Sequence, residues 1–236
     1  MTAQRARLVA LSAALVLAAC SNGDRGDGGG PAGTDETPGH PPQTAVLPGL
    51  PSPTGSPVEV GGWEVTVYYT AVAGLHTDRA VKVTGCPTID CTRNSRQQDL
   101  GRFPESFVEA VKDEGTGKVP DGRYLNWSYD TGYWMDTAPR DTAGRPLVPW
   151  VSAAADGDVL KQGSRFTILR CGTADVTTDV CAKLKAPTWT VVDEFTPGLG
   201  GSKHVDVYIG EETTKNFTDS DLYTTLNGAT LSIVKA

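Results

Sequence analysis

The chain has 236 residues, room for one medium domain with extensions. Acidic residues outnumber basic ones by 28 to 21, a formal charge of −7. That balance excludes nucleic acid as a partner and excludes an electrostatic hold on anionic lipid. The first predicted element is N-terminal. Arg5 and Arg7 precede an apolar run, residues 8–17, that is too short to span a bilayer comfortably. Leu17-Ala18-Ala19-Cys20 follows, and then Ser21.

This order of basic start, apolar run, small residues and cysteine resembles a bacterial lipoprotein signal peptide over residues 1–19. The resemblance implies that Cys20 is lipidated at its sulfur and becomes the mature N-terminus. The domain would then sit outside the cytoplasm, anchored to the cell membrane by lipid. The other readings are an ordinary secretory signal and a misread start with a chance cysteine. Residues 20–57 are rich in Gly, Pro, Asp, Ser and Thr, with few large apolar side chains. Such a segment cannot bury enough surface to repay its ordering entropy, so it reads as a flexible tether. His40 lies in it without neighbouring ligands and reads as solvated.

The folded domain is expected over 58–236. Residues 63–70, WEVTVYYT, alternate and are rich in β-formers, which predicts a strand. Residues 103–113, FPESFVEAVKD, predict a helix, with Pro104 at its first position and Gly115 and Gly117 stopping it. Residues 124–134, YLNWSYDTGYW, crowd aromatic side chains. Exposed, they would form a platform for sugar rings, with Trp134 as a candidate contact; otherwise they fill a core. Asp130 and Asp136 beside them read as turn residues. A short strand ends near Ala155, a turn holds Asp156, and another strand starts at Ser164. Residues 170–184 read as a hairpin-like excursion. Residues 218–227 read as a short helix with acids in its first turn, ended by Gly228, and 230–234 as a last strand.

Cys86, Cys91, Cys171 and Cys181 form an even set in an exported chain, which argues for disulfides. Local pairing, Cys86–Cys91 and Cys171–Cys181, is preferred because each closes a small loop; two other connectivities exist. Zinc is the alternative, but neither pair has knuckle spacing or an adjacent histidine, so no metal and no cofactor are expected.

The organising stretch is 190–210, two β-prone runs joined by a Gly/Pro-rich loop. Asp193 ends the first run. In the second, Val205, Val207 and Ile209 take one face while His204, Asp206 and Tyr208 take the other. A carboxylate inside an apolar strand is costly to bury unless paired or protonated. Many short strands, few helices and Gly-rich turns predict a mainly β, closed or nearly closed small barrel. The segment 71–149 would be an insertion after its first strand.

Asp156 with Gly163-Ser164, then Val-Val-Asp193, then His-Val-Asp206-Val-Tyr208 resemble, in order, the signature of the 3D domain. That family is named for three aspartates and is a six-stranded double-psi β-barrel. It occurs in membrane-bound lytic transglycosylase A and in secreted cell-wall proteins, and it is related to expansins. The likeness covers about 151–234. Glu194-Phe195 replaces the family's Thr-Gly, and Gly157 replaces the Pro after the first aspartate. The resemblance implies a cell-wall glycan as partner and Asp206 as catalytic acid. Asp193 would be its partner, and His204 and Tyr208 would line the cleft. Asp156 is expected to be structural, satisfying turn N–H groups.

Glycosidic cleavage needs an acid for the leaving oxygen, and burial of Asp206 would raise its pKa to suit. Two functions follow. One is a monomeric peptidoglycan-cleaving enzyme, a lytic transglycosylase with a single Asp acid/base or else a hydrolase. The other is a non-catalytic, expansin-like glycan-binding module. A lipoprotein partner or inhibitor without a glycan site is a third class.

Overall fold

The structure is a computed structural model that describes residues 49–91, 97–173 and 175–236. The expected signal segment, Cys20, His40 and most of the tether lie outside the described residues. Strand β1 (Val58–Val72) extends the expected 63–70 at both ends. Trp63, Val65, Val67, Tyr69 and Ala71 alternate into the main core, whereas Tyr68 joins a smaller cluster on the other face. The register slips around Gly61–Glu64, where Gly62 has φ 81°. A glycine tolerates that left-handed backbone at a bulge.

The chain then leaves the barrel. It forms β2 (Ala80–Gly85), β3 (Gln98–Pro104), α1 (Glu105–Glu114), β4 (Thr116–Lys118), β5 (Tyr124–Ser128) and β6 (Gly132–Asp136). Helix α1 starts two residues later than expected: Phe103 still pairs with Val81, and Pro104 is the N-cap. Phe107 and Val111 form its buried stripe. A Cβ on Gly117 would sit 2.3 Å from Val111 Cγ2 and 2.6 Å from Phe107 Cε2, so α1 presses directly on β4. β4 in turn runs parallel to the end of β1, Ala71 beside Gly117. The inserted segment is thereby fastened to one wall of the barrel.

The barrel resumes with β7 (Ser152–Ala154), β8 (Arg165–Arg170), β9 (Trp189–Asp193), β10 (His204–Glu211) and β11 (Leu226–Val234). The order β10-β7-β9-β8-β11-β1 is closed by parallel pairing of β1 with β10. β7 and β9 are also parallel, and the remaining barrel pairs are antiparallel. This is the six-stranded, mainly β double-psi barrel with an insertion after its first strand. Val65, Val191, Val205, Val207, Leu226 and Leu231 are fully buried in its core.

Two local expectations fail. The excursion before β9 is not a hairpin but α2 (Thr178–Lys185). Thr177 caps it by accepting from Val180 N–H at 3.3 Å, Asp179 and Lys183 complement its dipole, and Val180 and Leu184 pack inward one turn apart. Conversely, 218–227 is not a helix. Only a 3₁₀ turn, Phe217–Asp219, forms there, because Phe217 is drawn into the core against Tyr69, centroids 4.9 Å apart, and Leu226 already belongs to β11. Both local disulfides, Cys86–Cys91 and Cys171–Cys181, are present.

Gly172 has φ 76°, and a Cβ there would meet Asn227 O at 2.0 Å; Gly122 has φ 86° with open space around it. Gly122→Ala therefore reports backbone strain alone, about 1–2 kcal/mol. Gly172→Ala adds a backbone collision and should lower the thermal unfolding midpoint distinctly further. Equal midpoints for the two variants would contradict the packing described.

Candidate functional site

The parallel register sets Thr66 of β1 beside Asp206 of β10. On the other side of β10, Asp206 pairs with Ala154 of β7, and Ala154 pairs in turn with Asp193 of β9. One alanine thus separates the two aspartates. Two strand spacings put their backbones about 10 Å apart at one rim of the barrel. Both line a cleft of about 280 Å³.

Asp206 is half-buried, and its Oδ1 is enclosed without a partner in the protein. Burial pushes its carboxyl up to about 7, against hydrogen bonds from Thr66 and Val207 N–H; the Asp193 charge adds to the rise. Thr66 Oγ1 also lies 2.8 Å from His204 Nε2. The hydroxyl therefore stands between the imidazole and the carboxyl. His204 lines the cleft, and its ring faces Phe195 with centroids 4.5 Å apart.

Asp193 is held differently. Its Oδ1 accepts from Thr142 N–H at 3.0 Å, Thr142 O–H at 3.1 Å and Glu194 N–H at 2.9 Å. Burial nevertheless pushes it up to about 6, with Thr142 opposing and the Asp141 charge adding. Thr142 belongs to a loop pinned from beneath. Asp141 pairs with Arg145 at 2.7 Å, and Arg145 also donates to Gln162 Oε1 at 2.8 Å and to Val192 O at 2.5 Å. Asp193 makes no hydrogen bond to Asp206 among the described residues; the two are coupled through charge.

The inserted segment builds the facing wall with Lys112, Glu114, Trp127 and Arg140. Glu114 ends α1, accepting from Tyr69 N–H at 3.3 Å and Tyr223 O–H at 2.9 Å. Burial first, then the Asp206 charge, push it up to about 8. Sequence reasoning missed Glu114. The usable signal was an acid in the last turn of a helix, where the dipole opposes negative charge. It also missed Tyr68, whose enclosed Oη has no partner in the protein. Burial, with the charges of Asp193 and Asp206, keeps that phenol well above its usual range.

Three expected roles need correction. Tyr208 is 1% exposed, its Oη sits 2.5 Å from Thr70 Oγ1, and its ring packs on Tyr68 at 5.2 Å. It shares a strand face with Asp206, but Leu147 and Val192 close over it, so it does not line the cleft. Trp134 is fully buried in β6 and cannot present a face to a sugar; Trp127, from the same aromatic segment, lines the cleft instead. Asp156 closes its turn with its backbone carbonyl, which accepts from Val159 and Leu160 N–H, rather than with its carboxylate. The carboxylate lies against Gly200, where a Cβ would be 2.1 Å from Oδ2. Among the described residues, no group of three or more His, Cys, Asp or Glu is arranged to hold a metal ion.

Raised carboxyl pKa values set the sign of pH-dependent stability. Asp206, Asp193 and Glu114 bind protons more tightly folded than unfolded. Their contribution is fully present below about pH 4 and is lost as pH rises through 6 to 8. Asp206→Asn should therefore raise the unfolding midpoint more at pH 8 than at pH 5. An equal shift at both values would contradict the buried, protonated state.

No protein-family model matches the sequence, and no curated protein matches it. Solved structures do. Escherichia coli MltA with bound chitohexaose is 12% identical, TM-score 0.49, over 75% of this chain and 72% of that one. A membrane-bound lytic murein transglycosylase from Agrobacterium tumefaciens is 12% identical, TM-score 0.49, over 76% and 77%. The lytic transglycosylase LtgG of Burkholderia pseudomallei is 14% identical, TM-score 0.42, over 76% of each.

Proposed function

We propose that this protein cleaves the glycan strands of peptidoglycan as a lytic transglycosylase, with Asp206 as its acid and base, and that it is held outside the cytoplasm by lipid on Cys20. One observation carries the reading. A carboxyl that burial raises to about 7 lines an open cleft beside a second raised carboxyl, Asp193. The three aspartate motifs, in family order, supply the substrate class.

In this reading, protonated Asp206 donates to the glycosidic oxygen and the bond to C1 breaks. Asp206, now a carboxylate, takes the proton of the muramic 6-hydroxyl as O6 attacks C1. The product is a 1,6-anhydro sugar and the acid is regenerated, with no water consumed. Thr66 holds the carboxyl by hydrogen bonding and links it to His204. Asp193, kept largely ionised near pH 7 by its three hydrogen bonds, faces the positive charge that develops at C1. Its backbone separation from Asp206 also allows the roughly 6.5–9.5 Å carboxyl spacing of an inverting hydrolase. Product analysis decides between the two. Trp127, Phe195 and the exposed Leu199 offer apolar surface for sugar faces.

Digestion of purified murein by the protein should yield anhydromuropeptides. Asp206→Asn should reduce cleavage by at least about 10²-fold. The rate should fall as pH rises above about 7, because the donor loses its proton. Reducing-end products would identify a hydrolase instead. Murein binding without any product would leave a glycan-binding module and refute the enzyme.

A further inference from the structure

At the opposite end of α1 from Glu114 lies a second cluster that the cleft does not use. Ser106 is the second residue of the helix, and its Oγ lies 2.8 Å from His76 Nδ1. His76 Nε2 lies 2.9 Å from Glu212 Oε1. The Glu212 side chain is 3% exposed, and the same oxygen accepts from Val72 N–H at 2.6 Å. The acid is therefore fixed before the histidine meets it. Phe107 holds the imidazole from the side, edge to face, with centroids 5.9 Å apart.

In the tautomer that carries its proton on Nε2, His76 donates to Glu212 and Nδ1 can accept from the Ser106 hydroxyl, which also hydrogen-bonds the Asp78 carboxylate. That is the order nucleophile, base, orienting acid, with the two ring nitrogens exchanged relative to the common arrangement; proton transfer is indifferent to the exchange. The three residues come from three parts of the chain: the end of the turn Ala73–Leu75, the start of α1, and the residue after β10.

Ser106 lines a cavity of about 500 Å³ with apolar surface from Leu75 and Phe217, a cation from Lys215, and an acidic wall that includes Asp78, Glu109 and Glu212. The first N–H groups of a helix lack intrahelical partners. Here Glu105 N–H donates to Arg79 O, and Ser106 N–H to Asp78 Oδ2. Phe107, next after the serine, is fully buried and its N–H does not open to the cavity.

We propose that Ser106, His76 and Glu212 form a second active site that hydrolyses carboxylic esters of short acyl chains. Ser106 Oγ attacks the carbonyl carbon while His76 Nδ1 takes its proton. The ester C–O bond breaks, and the same proton passes to the departing alkoxide oxygen. Water then attacks the acyl-serine carbonyl and gives its proton to His76, which returns it to Ser106 as the carboxylic acid leaves. An ester suits the site better than an amide, because its alkoxide leaves more readily than an amine.

The test uses the purified protein with a fluorophosphonate, from which Ser106 Oγ would displace fluoride, and with p-nitrophenyl acetate. One equivalent of label should map to Ser106. Ser106→Ala should lose the label and about 100-fold of ester turnover, with an unchanged near-ultraviolet circular dichroism spectrum. Glu212→Gln, which keeps an acceptor for Val72, should lower turnover at least about tenfold. No label on Ser106 in natively folded protein would overturn the proposal, as would undiminished turnover in Ser106→Ala.

Discussion

The parallel pairing of β1 with β10 is the constraint on which the rest depends. It closes the barrel, and its register is what sets Thr66 against Asp206 and Tyr68 against Tyr208. Side chains in a strand alternate with period two, so a slip by one residue would turn Asp206 into the valine core and Val205 outward. Val65, Val67, Val205 and Val207 make that slip costly because all four are buried on the inner face. The position of the proposed acid therefore follows from the hydrophobic pattern of two strands more than from any contact the acid makes itself.

The site concentrates acids where the environment resists their charge. Asp193, Asp206 and Glu114 all titrate above their ordinary range, each with burial as the first cause. Yet they are not equivalent. Asp193 accepts three hydrogen bonds on one oxygen, Glu114 accepts from Tyr69 N–H and Tyr223 O–H, and Asp206 keeps one oxygen unpaired. Neighbouring carboxyls driven apart in this way divide the work of holding and releasing a proton. The arrangement opposes stability near neutrality, a cost of the kind that functional sites impose on a fold. The pinned loop that carries Thr142 and the packed end of α1 supply the rigidity that keeps these groups in place.

Much of this was legible from residue order. Alternation in 63–70 and 204–209 marked the two central strands, and the mid-strand position of Asp206 marked it as unusual. Period two also put Tyr208 on the same face, but it could not show that Leu147 arrives from the insertion to cover it. Aromatic content alone could not separate Trp134, enclosed in β6, from Trp127, which follows the cross-strand partner of Trp134, Asn126, on β5 and so takes the opposite face, at the cleft. Helix α2 was hidden because its short apolar stripe, Val180 and Leu184, is interrupted by a cysteine already assigned to a loop-closing disulfide. Glu114 was invisible because it reaches the cleft only through the tertiary docking of α1 on β4, a contact made possible by the missing side chain of Gly117.

The most direct measurement is a titration of the Asp206 carboxyl itself, by carbon-13 nuclear magnetic resonance of its side chain across pH 3 to 9, with Asp206→Asn used to assign the signal. The structure predicts that this carbon reports a carboxyl that stays protonated through mild acid and ionises near pH 7. A midpoint near the ordinary value of about 3.9 would contradict it. The carboxyl would then be a solvated anion with no proton to give to a glycosidic oxygen at neutral pH.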